Sequence, residues 1–332
     1  KASSIYLEEF VYKFQTYGTF YIFGDYNTPG FIATNLMIPG LRNAVMLFIW
    51  VFSSLDLASY GQGELGLIAG FSNYQGDLPS YNIQDGIKVK IGPVVGVHSA
   101  YELNNTFQVR ADLLYTRLSG DDALADNPAT IARNLDFFAP LIQLAVGLDY
   151  NLLGFSPKAG KVFTPFASAG ASFFYFNPRT TYQGEKVSLQ PLGTEGQFLE
   201  DYPDQKPYSR FQPSLQFGGG LKYLFSENLI LSLEGMLSFT FTDYLDDAST
   251  IYITYPELLE KAGPLTAALA NREGELVGSG PVIQPTGSAR ANPDSEDLFG
   301  VMTLRVSMPI VIFSNEFKIR RHNNKTIPNP KF

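Results

Sequence analysis

From position 62 onward apolar and polar residues alternate with a period of two, over runs long enough to mark strands with one apolar and one polar face. In the stretch that opens at Ile87, one face carries Ile87, Val89, Ile91, Val95, Val97, Tyr101 and Leu103. The other carries Lys88, Lys90, Gly92, Gly96, His98 and Glu102. The next stretch sets Phe107, Val109, Ala111, Leu113 and Tyr115 against Gln108, Arg110, Asp112 and Thr116. Asn104-Asn105 between the two predicts a tight hairpin, since Asn tolerates the positive φ such turns demand. Six more segments read the same way: 62–74, 138–152, 162–176, 212–225, 228–243 and 298–312. The segment 162–176 fits least well, because Phe166, Phe174 and Phe176 fall on the face that should be polar.

Eight strands is an even number, which suits a closed antiparallel barrel. The connections then divide by length. Asn104-Asn105, residues 153–161 and Ser226-Glu227 are short, whereas 75–85, 120–137, 177–211 and 244–297 are long. Short turns at one end and long loops at the other are the layout of outer-membrane barrels, with the turns in the periplasm. Aromatic residues on the apolar faces also sort by strand end. Tyr101, Phe107, Tyr150, Phe163, Tyr223 and Phe225 fall at the turn end; Phe71, Tyr115, Phe138, Phe173, Tyr175, Phe239 and Phe241 fall at the loop end. Two such girdles around an aliphatic band are what a bilayer interface selects. The expectation is an all-β fold: an eight-stranded antiparallel transmembrane β-barrel over 62–313, with short periplasmic turns, long extracellular loops and both termini periplasmic.

Composition narrows the reading further. Charged residues make up 17% of the 332 residues, against roughly 25% for an average soluble domain. The formal charge of −8 argues against nucleic acid as a partner. Cys is absent and only two His occur, which removes thiol catalysis, Cys-ligated metals and a His-rich centre. Ahead of the barrel, Ala44–Phe52 is an apolar run of about nine residues, too short to cross a bilayer, which takes about 20. Arg42 precedes it and Ser53, Ser54, Ala58, Ser59 and Gly61 follow, the order of a secretory signal peptide. Starting at Met37, residues 37–61 would be that signal, cleaved to leave Gln62 first. Residues 1–36 then form an upstream lead, and 314–332 a basic periplasmic tail with Lys318, Arg320, Arg321, Lys325 and Lys331.

The candidate chemistry is thin. Paired carboxylates occur at Asp121-Asp122 and Asp246-Asp247, both at the outer rim. A general base needs its partner within hydrogen-bond reach. His98, the one His of the barrel, lies on the order of 20 Å below that rim, so no Ser-His-Asp set is expected to close. Calcium would want six to eight oxygens, and the acidic loops lack the spacing of a dedicated calcium loop. Ser119-Gly-Asp-Asp and Gly193-Thr-Glu-Gly read as turn chemistry. No cofactor or metal is expected.

An eight-stranded barrel has a bore only wide enough for its own side chains. Its inward positions include Lys88, Lys90, Arg110, Lys222 and Arg305 beside Glu64, Glu102, Asp112, Asp149 and Glu234. These charges should pair, since an unpaired buried charge costs several kcal/mol. The lumen is therefore expected to be plugged by ion pairs. What remains is interaction through loops too long to be mere connectors, with helical character over 256–270.

Several stretches carry a resemblance. Glu64-Leu-Gly-Leu-Ile-Ala-Gly-Phe-Ser-Asn-Tyr-Gln-Gly-Asp77 resembles the first strand of an uncharacterised family of bacterial outer-membrane β-barrels. Leu118-Ser-Gly-Asp-Asp122, Phe176-Asn-Pro178, Leu189-Gln-Pro-Leu-Gly-Thr-Glu-Gly196 and Phe241-Thr-Asp-Tyr-Leu-Asp-Asp-Ala-Ser249 are similar to that family too. The resemblance runs from about Glu64 to Met308 and reaches the PorG-like outer-membrane components of the type IX secretion system. It implies a non-catalytic protein, with membrane lipid and periplasmic ring proteins of a secretion machine as partners. The alternative is a stand-alone surface barrel that adheres or binds ligand through its loops. The tail 314–332 departs from the family, whose barrels end soon after the last strand.

Overall fold

The computed structural model describes residues 62–82, 88–156, 159–313 and 316–318. The lead 1–36, the signal segment 37–61 and all of the tail but Glu316–Lys318 lie outside the described residues. The chain divides into two units. The larger runs from Gly63 to Pro309; the other takes in Gln62 and, from Ile310 on, the described residues as far as Lys318.

The larger unit holds six long strands whole and most of two more, the first and the last: β1 (Gln62–Gln75), β4 (Gly92–Glu102), β5 (Phe107–Asp121), β6 (Asp136–Asn151), β7 (Phe163–Phe176), β10 (Phe211–Ser226), β11 (Leu229–Thr240) and β12 (Leu298–Phe313). Each pairs antiparallel with its neighbours in sequence, and β1 pairs with β12, so the sheet closes on itself. Two short hairpins stand at the loop end, β2 (Tyr81–Asn82) with β3 (Lys88–Val89), and β8 (Arg179–Tyr182) with β9 (Glu185–Ser188). In the smaller unit, β13 (Glu316–Lys318) pairs with the last residues of β12, Val311 opposite Lys318.

The closing seam is tight. A Cβ added at Gly70 on β1 would meet the Met302 carbonyl of β12 at 2.1 Å, so the two backbones approach where only glycine fits.

The barrel is inside-out relative to a soluble one. Along β11, Ile230, Ser232, Glu234, Met236, Ser238 and Thr240 are buried while Leu233, Leu237 and Phe239 are exposed. The same division runs along β7, where Phe163 and Phe173 face out and Thr164, Phe166, Ser168, Ser172, Phe174 and Phe176 face in. That explains the misfit noted for 162–176. The loop half of the bore holds, beside hydroxyl and amide side chains such as Ser72, Thr116, Gln143 and Ser238, an apolar plug of Phe174, Phe176, Phe299, Ile68, Val94, Leu118, Met236 and Val301. Phe174 meets Phe299 edge-on at 5.9 Å.

Three expectations about elements change. The second strand begins at Gly92 rather than Ile87, because residues up to Val89 leave the wall for the β2–β3 hairpin. The turn after β4 does not use positive φ: among the described residues only Asn134, Gln183 and Asp247 do so outside glycine. Asn104 instead turns the chain with its side chain, whose Oδ1 accepts from Thr106 N (2.8 Å) and Phe107 N (2.9 Å). Finally, the helical stretch 256–270 is two helices, α2 (Tyr255–Lys261) and α3 (Pro264–Ala270), broken at Gly263 with φ +93°.

Candidate functional site: a sealed bore under a folded cap

Seven of the ten charges expected in the lumen come together in the turn half of the bore: Glu64, Arg110, Asp112, Asp149, Lys222, Glu234 and Arg305. Glu234 on β11 takes Arg110 in a two-pronged pair, Nη1 to Oε2 at 2.7 Å and Nη2 to Oε1 at 3.0 Å. Arg305 on β12 adds Nη2 to Oε2 at 3.1 Å, and Thr303 Oγ1 lies 3.2 Å from Oε1. Arg110 also donates from Nε to Asp112 Oδ2 at 2.7 Å and reaches Asp149 Oδ1 at 3.4 Å. One step nearer the turns, Glu64 accepts from Gln108 Nε2 at 2.7 Å and Ser307 Oγ at 3.1 Å, and sits 3.6 Å from Lys222 Nζ. Lys222 in turn donates to Gln108. The rings of Phe166 and Phe155 lie within cation–π range of the Lys222 ammonium, at 5.7 and 5.4 Å.

Lys88 and Lys90 are not part of this network. Lys88 and Lys90 precede β4 and so sit at the loop end, Lys88 exposed and Lys90 bound to Asp121 at 2.6 Å. Glu102 ends β4 at the turn mouth and is half-buried. The sequence reading missed His98 as a member. It lies opposite Asp112 in the β4–β5 register, and its Nδ1 is 2.6 Å from Asp112 Oδ1. The partner of His98 is thus a carboxylate of the neighbouring strand and not one of the rim pairs Asp121-Asp122 and Asp246-Asp247. Arg305 Nη1 lies 3.0 Å from His98 Nε2, so both ring nitrogens are occupied by charged neighbours. With the pair fully buried, nothing is left on the imidazole to take a proton from a substrate.

The girdle residues distribute as follows. Phe107, Tyr150, Phe163, Tyr223 and Phe225 at the turn end are exposed, as are Phe71, Phe173, Phe239 and Phe241 at the loop end. Tyr101, Tyr115 and Tyr175 are half-buried. Phe138 departs from the expectation of a lipid-facing ring: it is only 8% exposed. Arg117 covers it at 4.3 Å from the ring centroid and Lys186 of the β8–β9 hairpin at 5.9 Å.

Above the aromatic plug the long loops fold into a cap. Tyr74 ends the inward row of β1 and sets its hydroxyl between two carboxyl groups, 2.7 Å from Asp246 Oδ2 and 2.6 Å from Asp297 Oδ1, with its one proton for either of them. Those carboxylates hold loop amides: Leu78 N and Ala248 N donate to Asp246, and Leu245 N donates to Asp297. Glu195, in the stretch assigned to turn chemistry, is fully buried and accepts from Arg290 Nη1 (2.9 Å), Ser249 N (2.9 Å) and Thr250 Oγ1 (2.6 Å). The turn reading holds for its neighbours Gly193 and Gly196, both at positive φ. Asp122 binds Arg133, on the short helix α1 (Pro128–Arg133), through both oxygens at 2.7 and 2.8 Å. Tyr208 and Tyr244 stack at 4.5 Å, and Tyr208 donates to Asp247.

Burial dominates the electrostatics of this cap. It pushes Asp243 up to about 8, Asp246 to about 7 and Asp247 to about 6, and it raises Asp297 well above the carboxylate range. The acids also repel one another: Asp77 and Asp246 both raise Asp243. Among the described residues no group of three His, Asp or Glu is placed to hold a metal ion.

Solved structures of similar fold are small membrane barrels. The attachment invasion locus protein Ail of Yersinia pestis, in complex with the heparin analogue sucrose octasulfate, aligns over 76% of this chain and 99% of its own, at 12% identity and a TM-score of 0.35. The outer membrane protein OprG of Pseudomonas aeruginosa aligns over 76% and 97%, at 11% identity and a TM-score of 0.35. Neisserial surface protein A aligns over 74% and 96%, at 12% identity and a TM-score of 0.33. No curated protein matches the chain in sequence. A family model does match, over residues 42–258, from the apolar segment before the barrel through seven of its eight strands and into the last long loop. The chain belongs to that family, the domain of unknown function DUF6089.

Proposed function

We propose that this protein is a non-catalytic outer-membrane barrel that serves as a structural component of a secretion complex, with its short turns in the periplasm. The observation that carries this reading is the bore, blocked at two levels by the Arg110–Glu234–Arg305 network and by the plug around Phe174 and Phe299. A barrel that neither conducts nor presents a reactive group is left with its surfaces as working parts. The exposed belt of Leu67, Val95, Val146, Leu148, Phe217, Leu221, Leu233 and Leu304 supports the membrane assignment, since such a surface on a closed barrel with a charged interior is stable only against lipid. The resemblance to PorG-like components supports the secretion role. The partners in view are outer-membrane lipid and, at the turn end, periplasmic ring proteins.

The test is affinity purification of the full chain, crosslinked in the outer membrane and extracted in detergent. Ring lipoproteins of a secretion machine should co-purify. A monomer without them overturns the secretion role and favours the second reading, a stand-alone surface barrel. That reading draws on the cap, whose exposed apolar residues Phe198, Leu276 and Ile283 are available to an outside ligand.

A further inference from the structure

Most cations at the loop end of this acidic protein have a carboxylate partner. Lys90 holds Asp121, Arg133 holds Asp122, Arg272 holds Asp136 and Glu275, Arg290 holds Glu195, and Lys261 holds Asp201 and Glu257. Arg117, Arg179, Lys186 and Arg210 do not: none has an acidic oxygen within 4 Å among the described residues. These four are neighbours on the outside of one wall. Arg117 and Lys186 both lie over the Phe138 ring, and Arg179 is paired through its backbone with Phe138. Arg210 lies over Tyr175 at 5.4 Å, and Tyr175 in turn touches Phe211 at 5.0 Å. Asn177 links the two halves. Its side-chain amide lies between them, one end 3.4 Å from Arg210 Nη1 and the other 2.9 Å from Arg179 Nη2, and its oxygen accepts from one of the two at a time.

Their height on the wall is the second fact. Arg117 stands one outward step beyond Tyr115 on β5, and Arg210 immediately precedes the exposed Phe211 of β10. Both positions are where a membrane barrel passes from hydrocarbon to headgroup, marked by its aromatic girdle. Beside Arg117 opens a cleft of about 450 Å³ whose walls include Val89, Ile91, Pro93 and Phe138. Its one acid, Asp136, is occupied by Arg272 and Thr180. Cations above, apolar walls beside: that combination fits an amphiphile with an anionic head better than a soluble polyanion, which would leave Val89 and Ile91 in water.

We infer that Arg117, Arg179, Lys186 and Arg210 form a binding site for the phosphorylated headgroup of a lipid in the outer leaflet, with the cleft beside Arg117 taking the start of an acyl chain. Arg and Lys near a membrane surface each add to the attraction for anionic lipid, and a guanidinium can grip a phosphate through two parallel bonds. The inference rests on the membrane reading above.

The test uses the full chain in phosphatidylcholine nanodiscs doped with bisphosphorylated lipid A, with bound lipid A read by native mass spectrometry. Wild type should retain lipid A and discriminate against the dephosphorylated form. The triple variant Arg117→Gln, Lys186→Gln, Arg210→Gln should lose about a hundredfold in affinity. Lys206→Gln, at an exposed loop cation outside the four, should bind as wild type does. Heat-modifiable migration on a gel checks that each variant is folded. A folded, inserted triple variant that retains lipid A, or equal binding of the dephosphorylated form, overturns the inference and leaves the membrane reading standing. Binding of soluble dextran sulfate in place of lipid A overturns it as well. Failure of folded wild type to enter nanodiscs at all sinks both.

Discussion

Glu234 is the residue on which the bore turns. It is 3% exposed, faces two guanidiniums and is the only carboxylate among the described residues within 3.2 Å of both. Replacing it with Ala leaves two buried cations short of a partner, the situation in which losing one member of a buried pair costs about 3–5 kcal/mol. The Glu234→Ala barrel should therefore lose its folded gel form at a clearly lower temperature than wild type. Ser238→Ala, on the same strand and the same inward face, removes hydrogen bonds from Gln143 and Gln216 and should cost only about 1 kcal/mol. Equal melting of the two variants would mean that the ion pairs do not hold the bore. Gly70 gives a steric counterpart: Gly70→Val would force β1 away from Met302, and the folded form should be lost outright.

At the scale of elements the cap behaves differently from the wall, because its anchors Asp246 and Asp297 are acids held by neutral donors. The folded cap raises Asp246 to about 7 and Asp243 to about 8, both above the value of about 3.9 that an unfolded Asp would show. A carboxyl whose folded pKa is raised stabilises most where it is protonated, below the unfolded value. That contribution falls as pH climbs towards the folded value and is gone above it. The cap should thus be tightest in mild acid and loosen between about pH 4 and pH 8. Hydrogen exchange over 243–250, corrected for the intrinsic pH dependence of exchange, should show protection falling across that window. Asp243→Asn should flatten the fall, and protection that rises with pH would refute the argument. The cap also marks where the sequence stopped being readable. Strand periodicity placed every wall strand, since one face always meets lipid and a slip of one residue would turn the pattern over. The loops obey no period. The partnership of Glu195 with Arg290 spans 95 positions and that of Tyr74 with Asp297 spans 223, and neither has a local signature. His98 was legible in principle: counting back from the Asn104 turn sets it opposite Asp112. Lys88 and Lys90 misled because the alternation ran on past the wall into the β2–β3 hairpin.

For the whole molecule, the first expectation is electrical silence. Purified wild-type barrel in planar bilayers should give no sustained, ion-selective current, and a large steady conductance would contradict the sealed bore. The sealed bore also bears on how the protein is made. Its charges come from the full length of the barrel: Glu64 arrives with the first strand and meets Ser307 of the last, 243 positions later, while Arg305 meets His98 across 207. A nascent sheet holding only the early strands would carry Glu64, Arg110, Asp112 and Asp149 without Glu234 and Arg305, and lipid would exact several kcal/mol for each bare charge. Assembly in the membrane is therefore expected to be all-or-none, since no partial barrel has all of these ion pairs until β12 docks on β1. A chain truncated before Leu298 should be found with the assembly machinery or degraded, not as a seven-stranded intermediate in the bilayer. Arg305, the last ion-pairing side chain along the chain among the described residues, would then serve as a proofreading mark, its arrival signalling that the final strand is in register.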